Sequence, residues 1–109
     1  MDGLSLELVH SSPPVLHVRG DLDMANAEEF GAALKQALSA DSTLVLDLAG
    51  LSFIDGAGLR VIVDAAESRD GVGPLTLVNA SRVARLLDLV GLDARPAIEF
   101  AQRGDGRGR

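Results

Sequence analysis

The first twenty residues predict two β-strands. Leucines alternate with polar residues over positions 4–8, and a period of two is typical of a strand with one buried face. The segment SSPP at residues 11–14 interrupts this pattern, and VLHVR at residues 15–19 resumes it. We therefore expect an antiparallel hairpin whose second strand ends at Gly20.

Helical and strand-like patterns alternate along the rest of the chain. Apolar residues recur at helical spacing from about 24 to 39 and from about 57 to 68. A third helix is predicted before Gly91, with an inner face of Val83, Leu86, Leu87 and Val90 and with Arg82, Arg85 and Asp88 outside. Short apolar strands are predicted at LVLDL and LTLV, and a weak last strand near residues 97–100.

This order of elements predicts a single α/β domain. The elements run ββαβαβα with a possible short final strand, and alternation of strands and helices favours parallel strands joined by crossovers. We expect a small mixed, mostly parallel sheet with helices packed against it. The carboxyl ends of parallel strands meet at one edge, where sites form. That edge would collect residues 20–23, 54–58 and 79–81.

Composition narrows the possible partners. The 109 residues include no cysteine and one lysine, and the formal net charge is −6. An acidic chain lacks the basic face that nucleic acid requires, so we expect no nucleic-acid partner. With no long apolar run and no basic leader, we expect a cytoplasmic protein without membrane insertion. Residues 1–100 are predicted to fold, and the Gly-rich, arginine-bearing residues 101–109 to form a disordered tail.

The stretch FIDGAGL at residues 53–59 raises the main question of chemistry. Asp55 is placed to cap the second helix, and this structural role alone is one reading of it. A P-loop requires Lys and Ser or Thr after its glycines, whereas Leu59-Arg60 follows here. The motif is therefore a weak candidate for phosphate binding.

Other catalytic arrangements fit poorly. Asp21, Asp23 and Asp55 resemble the acidic pocket of a response-regulator receiver with bound magnesium, but the required lysine is missing, since Lys35 lies within the first helix. His10 and His17 lack metal-ligand spacing and are predicted to be solvated. We expect no enzyme activity, no metal and no cofactor.

Three segments resemble the STAS domain, specifically the bacterial anti-sigma factor antagonists. They are GDLDMANAEEF at residues 20–30, LVLDLAGLSFIDGAGLRVIVDAA at 44–66 and LTLVNASRVARLLDLVGL at 75–92. The resemblance implies a protein-interaction module that docks on an anti-sigma factor. That partner is a serine kinase with a histidine-kinase-like ATPase fold, and docking releases the sigma factor.

The resemblance also implies a phosphorylation switch, which this chain lacks. In the family the kinase phosphorylates a serine directly after the motif aspartate. The family's usual Asp-Ser-Ala-Gly reads Asp55-Gly56-Ala57-Gly58 here. Glycine has no hydroxyl, so this position cannot be phosphorylated, and we expect binding to stay on. Other serines, such as Ser52, Ser68 and Ser81, remain open as regulatory sites.

The predicted partner-binding surface lies on the functional edge of the sheet. It comprises Asp21, Asp23, Asp55, Gly56, Ala57, Gly58 and Arg60. An alternative from another class is a STAS accessory subunit of a membrane transport or signalling assembly, which would use the helical surface around Arg60, Asp64 and Glu67. A third alternative is binding of a small ligand or a nucleotide. It is the weakest of the three, because no basic residue lies in these loops to meet a phosphate. We expect a monomer or weak dimer.

Overall fold

A computed structural model describes residues 3–69, 71–91 and 97–101. Five strands and three helices are present among these residues. In chain order they are β1 (Leu4–Val9), β2 (Val15–Leu22), α1 (Ala27–Ala40), β3 (Val45–Ile54), α2 (Gly56–Glu67), β4 (Leu75–Val78), α3 (Ser81–Val90) and β5 (Ile98–Ala101). The predicted element order is confirmed, and the weak last strand is present as β5.

The strands form one mixed sheet in the order β1-β2-β3-β4-β5. β1 pairs antiparallel with β2, as the predicted hairpin requires. β2, β3, β4 and β5 are parallel to one another. The mostly parallel sheet inferred from the alternation of elements is therefore confirmed.

One face of the sheet packs against the helices. Register places Leu16 beside Leu46, and Leu46 beside Leu77, so these buried side chains point to the same face. They join buried side chains of all three helices in one hydrophobic core, including Phe30, Ile62 and Val83. The next residues along each strand point the other way, which puts His17 and Asp47 on the opposite face.

The central strands are longer than the sequence pattern predicts. Gly20 does not end β2, since the strand passes through it to Leu22, and β3 runs to Ile54 instead of stopping at Leu48. Gly20 has a φ of 94°, which an L side chain rarely adopts. It adjoins a register shift that keeps β2 and β3 paired up to Leu22 and Ile54. Asp21 and Leu22 consequently lie in a strand and not in a loop.

The helix boundaries need smaller corrections. α1 begins at Ala27 and not at Met24, because residues 23–26 form a turn. Gly91 follows α3 with a left-handed φ of 72°, as predicted. Val90 was assigned to the inner face of α3, but it is exposed, and only Val83 and Leu87 of this helix are buried. β5 includes Ala101, and the other residues of the predicted tail lie outside the described residues.

Candidate partner-binding site

Asp55 joins two loops at the carboxyl edge of the sheet. It directly follows β3, and its Oδ1 accepts a hydrogen bond from the Gly58 amide at 3.0 Å, which caps α2. Its Oδ2 accepts from the Met24 amide at 3.2 Å, across 31 residues of sequence. A backbone bond from the Asp55 amide to the Leu22 carbonyl, at 3.1 Å, strengthens the same junction. The capping role is confirmed, and the carboxylate also holds the turn that follows β2.

The turn after β2 is held by its own side chains. Asp23 Oδ1 accepts from the Ala25 amide at 3.0 Å, and Asn26 Oδ1 accepts from the Asp23 amide at 3.0 Å. The Asn26 amide group donates to the Asp21 carbonyl at 2.9 Å. These bonds turn the chain before α1 and leave Met24 77 % exposed beside Asp55.

Gly56 and Gly58 have opposite environments. A Cβ at Gly56 would meet no heavy atom within 4 Å, so this residue opens to the surface. A Cβ at Gly58 would lie 2.7 Å from Leu22 Cγ and 2.9 Å from the Leu22 carbonyl oxygen. Gly58 is therefore required for packing of α2 on β2 inside the domain, and its backbone is buried instead of facing a partner.

The predicted surface residues lie on β2, on the turn after it and on the start of α2, which the Asp55 junction joins, but they differ in exposure. Asp21, Gly56 and Arg60 are exposed, whereas Asp23, Asp55 and Ala57 are half-buried and Gly58 is buried. The carboxylates of Asp23 and Asp55 already accept backbone hydrogen bonds. Asp21 and Arg60 are thus the charged members of this set best placed to meet another molecule.

The described residues at this edge offer few free ligands for a metal or phosphoryl-transfer centre. Within residues 3–69, 71–91 and 97–101, no three His, Cys, Asp or Glu side chains converge as a possible metal site. Asp55 and Asp23 fix the geometry of their loops instead of forming an open carboxylate pocket. The arrangement presents a shaped backbone surface with a few charges, which suits contact with a protein.

Sequence reasoning missed several residues at this edge. Met24 was placed in α1, yet it is an exposed apolar side chain next to Asp55. Phe53 is 51 % exposed at the end of β3. Arg82 and Arg85 of α3 line a groove with Phe53 and Ile54, so basic side chains do lie near the loop edge. Its position two residues before Asp55, at the apolar end of a predicted strand, was the available signal for Phe53.

His17 has a partner, which corrects its assignment as a solvated imidazole. Its Nδ1 lies 3.0 Å from Oδ2 of Asp47, a buried carboxylate. Asp47 Oδ1 accepts from the Asn79 side-chain amide at 2.9 Å and from the Ala49 amide at 3.0 Å. Asn79 has a left-handed φ of 55°, a conformation that Asn tolerates well. This cluster links β2, β3 and the end of β4.

No helix among the described residues is both long and apolar enough to cross a bilayer.

Solved structures of similar fold carry related descriptions. An anti-sigma factor antagonist from Mycobacterium paratuberculosis is 23% identical, with a TM-score of 0.71 over 87% of this chain and 84% of that one. The anti-sigma factor antagonist SpoIIAA in its unphosphorylated form is 26% identical, with a TM-score of 0.62 over 90% and 88%. The Bacillus cell fate determinant SpoIIAA in its phosphorylated form is 24% identical, with a TM-score of 0.63 over 92% of each chain.

The sequence also matches a protein family over most of its length. Residues 8–99 match the family described as "Mlab, STAS domain". The matched segment includes β2 to α3 and the whole of the Asp55 junction. The fold, the sequence match and the structural neighbours agree, and the chain belongs to the STAS domain family.

Proposed function

We propose that this protein is a binding module of the anti-sigma factor antagonist type, which docks on an anti-sigma factor of the serine-kinase type. The observation that carries the proposal is the Asp55 junction, which ties residues 21–24 to the start of α2 and exposes Gly56 between them. Neighbouring structures named as anti-sigma factor antagonists support the general role.

Contact would centre on a small exposed set around the junction. Gly56 has open space in front of its backbone, which allows a partner to approach closely. Asp21 and Arg60 are exposed on β2 and α2, the two elements that the junction joins, and Met24 adds an exposed apolar side chain. Asp23, Asp55 and Gly58 would act indirectly, because their described contacts shape the loops.

Gly56 defines the regulatory part of the proposal. A phosphoserine would add a charge of about −1.5 to −2 directly after Asp55. Two unit charges 4 Å apart repel by about 1 kcal/mol in water and about 4 kcal/mol at an effective dielectric near 20. Since Gly56 offers no hydroxyl, a kinase has no acceptor there, and association should not be reversed at this position.

The test is direct binding to serine-kinase-type anti-sigma factors encoded by the same organism, measured by calorimetry. The variant Gly56→Trp fills open space, so it should fold normally and weaken binding by about tenfold or more if the junction is central to the interface. Gln36→Trp, at an exposed position in the later half of α1, is the matched control. Equal affinity of all three proteins would refute the junction as the interface, and no binding by the parent chain would refute the proposal itself.

Restoring the hydroxyl gives a second measurement. Gly56→Ser should be phosphorylated by the cognate kinase, and mass spectrometry should find the added phosphoryl group at residue 56. The unmodified chain should gain none there. If the kinase binds the parent chain yet leaves Ser in this position unmodified, the assignment of Gly56 to the family's phosphoserine position is wrong.

A second candidate function is an accessory subunit of a membrane transport or signalling assembly. The missing hydroxyl favours it, because such a role needs no phosphorylation at residue 56. Arg60, Asp64 and Glu67 form an exposed row on α2 at helical spacing, which would be the contact surface. Asp64→Lys combined with Glu67→Lys should then release the subunits that co-purify, whereas Gly56→Trp should retain them.

A further inference from the structure

A groove lies beside the end of β3, on the side of α3. β4 ends at Val78, which pairs with Asp47, while β3 continues to Ile54. The chain turns from β4 into α3, and the helix flanks the last residues of β3. The groove between them has a volume of about 380 Å³. Its lining comprises Phe53, Ile54, Ser81, Arg82, Arg85, Leu86 and Leu89.

α3 presents a second stripe of side chains to this groove. Val83 and Leu87 are buried in the core, as expected for one face of an amphipathic helix. Arg82, Arg85, Leu86 and Leu89 follow the spacing i, i+3, i+4 and i+7, so they share another face. Leu89 is 76 % exposed. Leu86 is partly buried against the core, but the core does not account for the exposed Arg82, Arg85 and Leu89.

The groove is positively charged within an acidic protein. The formal net charge of the chain is −6, yet the charged residues that line the groove are two arginines, Arg82 and Arg85. Among the residues that the structure describes, neither guanidinium group forms an ion pair or hydrogen bond. Ala80 precedes α3 and supplies no side-chain cap, so the positive end of the helix dipole adds to the same charge.

The shape of the groove favours a protein segment over a small molecule. Small-molecule sites enclose most of their ligand and orient it with buried polar groups. Here Ser81 and both arginines are exposed, as are Phe53 and Leu89. Exposed apolar side chains flanked by cations match a segment that carries apolar side chains with carboxylates beside them.

We propose that the groove between β3 and α3 docks a short acidic, amphipathic segment of another protein. Apolar side chains of the segment pack on Phe53, Leu86 and Leu89, while its Asp or Glu side chains pair with Arg82 and Arg85. Arginine suits this role because its planar group can hold a carboxylate through two parallel hydrogen bonds. This site is separate from Gly56 and does not depend on the identity of the anti-sigma partner.

The test is selection of binders from a random peptide library displayed on phage, with the full chain as bait. Selected peptides should be enriched in Asp and Glu next to Leu or Phe. Fluorescence anisotropy should show about a tenfold or larger loss of affinity for the double variant Arg82→Glu with Arg85→Glu, since reversed charges repel the carboxylates. Leu89→Asp should weaken binding as well, while Lys35→Glu, an exposed charge reversal on α1, should not.

Each other outcome would overturn the proposal. An empty selection, a basic or neutral consensus, or peptides whose affinity the arginine variants leave unchanged would each contradict it. Circular dichroism checks that every variant folds, which is expected because the altered side chains are exposed. If sedimentation shows a dimer that Leu89→Asp dissociates, and no acidic peptide binds, the groove is instead covered by a second copy of this chain.

Discussion

Asp47 and Asp55 lie on the same stretch of chain and serve opposite purposes. Asp47 is inside β3 and 7 % exposed, and its carboxylate faces His17 and accepts from Asn79 and Ala49. Asp55 follows β3, is half-buried, and accepts from two backbone amides at a loop junction. The first aspartate holds strands together, whereas the second shapes a surface. A carboxylate next to a binding site is thus not automatically a binding group.

The largest expected effect comes from Asp47→Ala. Removal of the carboxylate leaves the Asn79 amide and the His17 imidazole without their described acceptor. We expect the free energy of unfolding to fall by about 3 kcal/mol, because several hydrogen bonds to one buried carboxylate are lost together and each bond to a charged group contributes about 1.5–3 kcal/mol. Urea denaturation measures the change.

Asp47→Asn is the matched control for this prediction. It keeps an oxygen acceptor and nearly the same shape, so its cost should be clearly smaller than that of alanine. A loss below about 0.5 kcal/mol for Asp47→Ala, the range typical of surface substitutions, would show that the cluster contributes little to stability.

The paired glycines give the next largest contrast. Gly58→Ala should lower the free energy of unfolding by about 1–3 kcal/mol, because its Cβ would press on the fully buried Leu22 side chain and its carbonyl. Gly56→Ala meets open space and should change stability by less than about 1 kcal/mol, in the favourable direction. Thermal unfolding of both variants gives the comparison. Similar losses at the two sites would contradict the described packing.

Asp55→Ala should have an intermediate effect on stability. Loss of a helix N-cap costs about 1 kcal/mol, and the Met24 amide also loses its acceptor. Asp55→Asn retains a capping oxygen and should stay closer to the parent chain. Hydrogen exchange should accelerate at the Met24 and Gly58 amides in the alanine variant. Unchanged exchange at Met24 would mean that Asp55 does not hold the two loops together.

The sequence predicted the element order and the gathering of the loops because both follow from local periodicity and chain connectivity. It also identified Asp55, since an aspartate between a strand and a Gly-rich helix start has a local signature. It missed the length of β2 because a glycine with positive φ can continue a strand through an irregular register. Gly20, which was predicted to end β2, is therefore part of the strand.

The burial of Asp47 and the formation of the groove both depend on contacts between elements that are distant in sequence. LVLDL has an aspartate within an apolar run, and the partners that make its burial acceptable come from β2 and from the end of β4. For α3, periodicity marks Val83, Leu86, Leu87 and Val90 as the inner face. Only the docked orientation of the helix decides which leucines enter the core. The arginines of the groove were therefore not predicted as neighbours of Phe53.

A third aspartate gives the smallest expected effect and sharpens the contrast with Asp47. Asp41 precedes β3, is fully exposed, and its pKa is lowered by the hydrogen bond from the Thr43 hydroxyl and then by that from the Thr43 amide. Because folding lowers this pKa, the Asp41 carboxylate stabilises the native state at pH values above its unfolded pKa near 3.8. This contribution is lost as the pH falls through the lower pKa of the folded state. Thr43→Val removes the hydroxyl and keeps the amide, so the pKa of Asp41 should move back towards 3.8 without reaching it. NMR titration of the Asp41 carboxyl carbon measures this shift. If the pKa of Asp41 does not rise in the valine variant, the Thr43 hydroxyl is not the main cause of the lowered pKa, and the hydrogen bond from the Thr43 amide accounts for it.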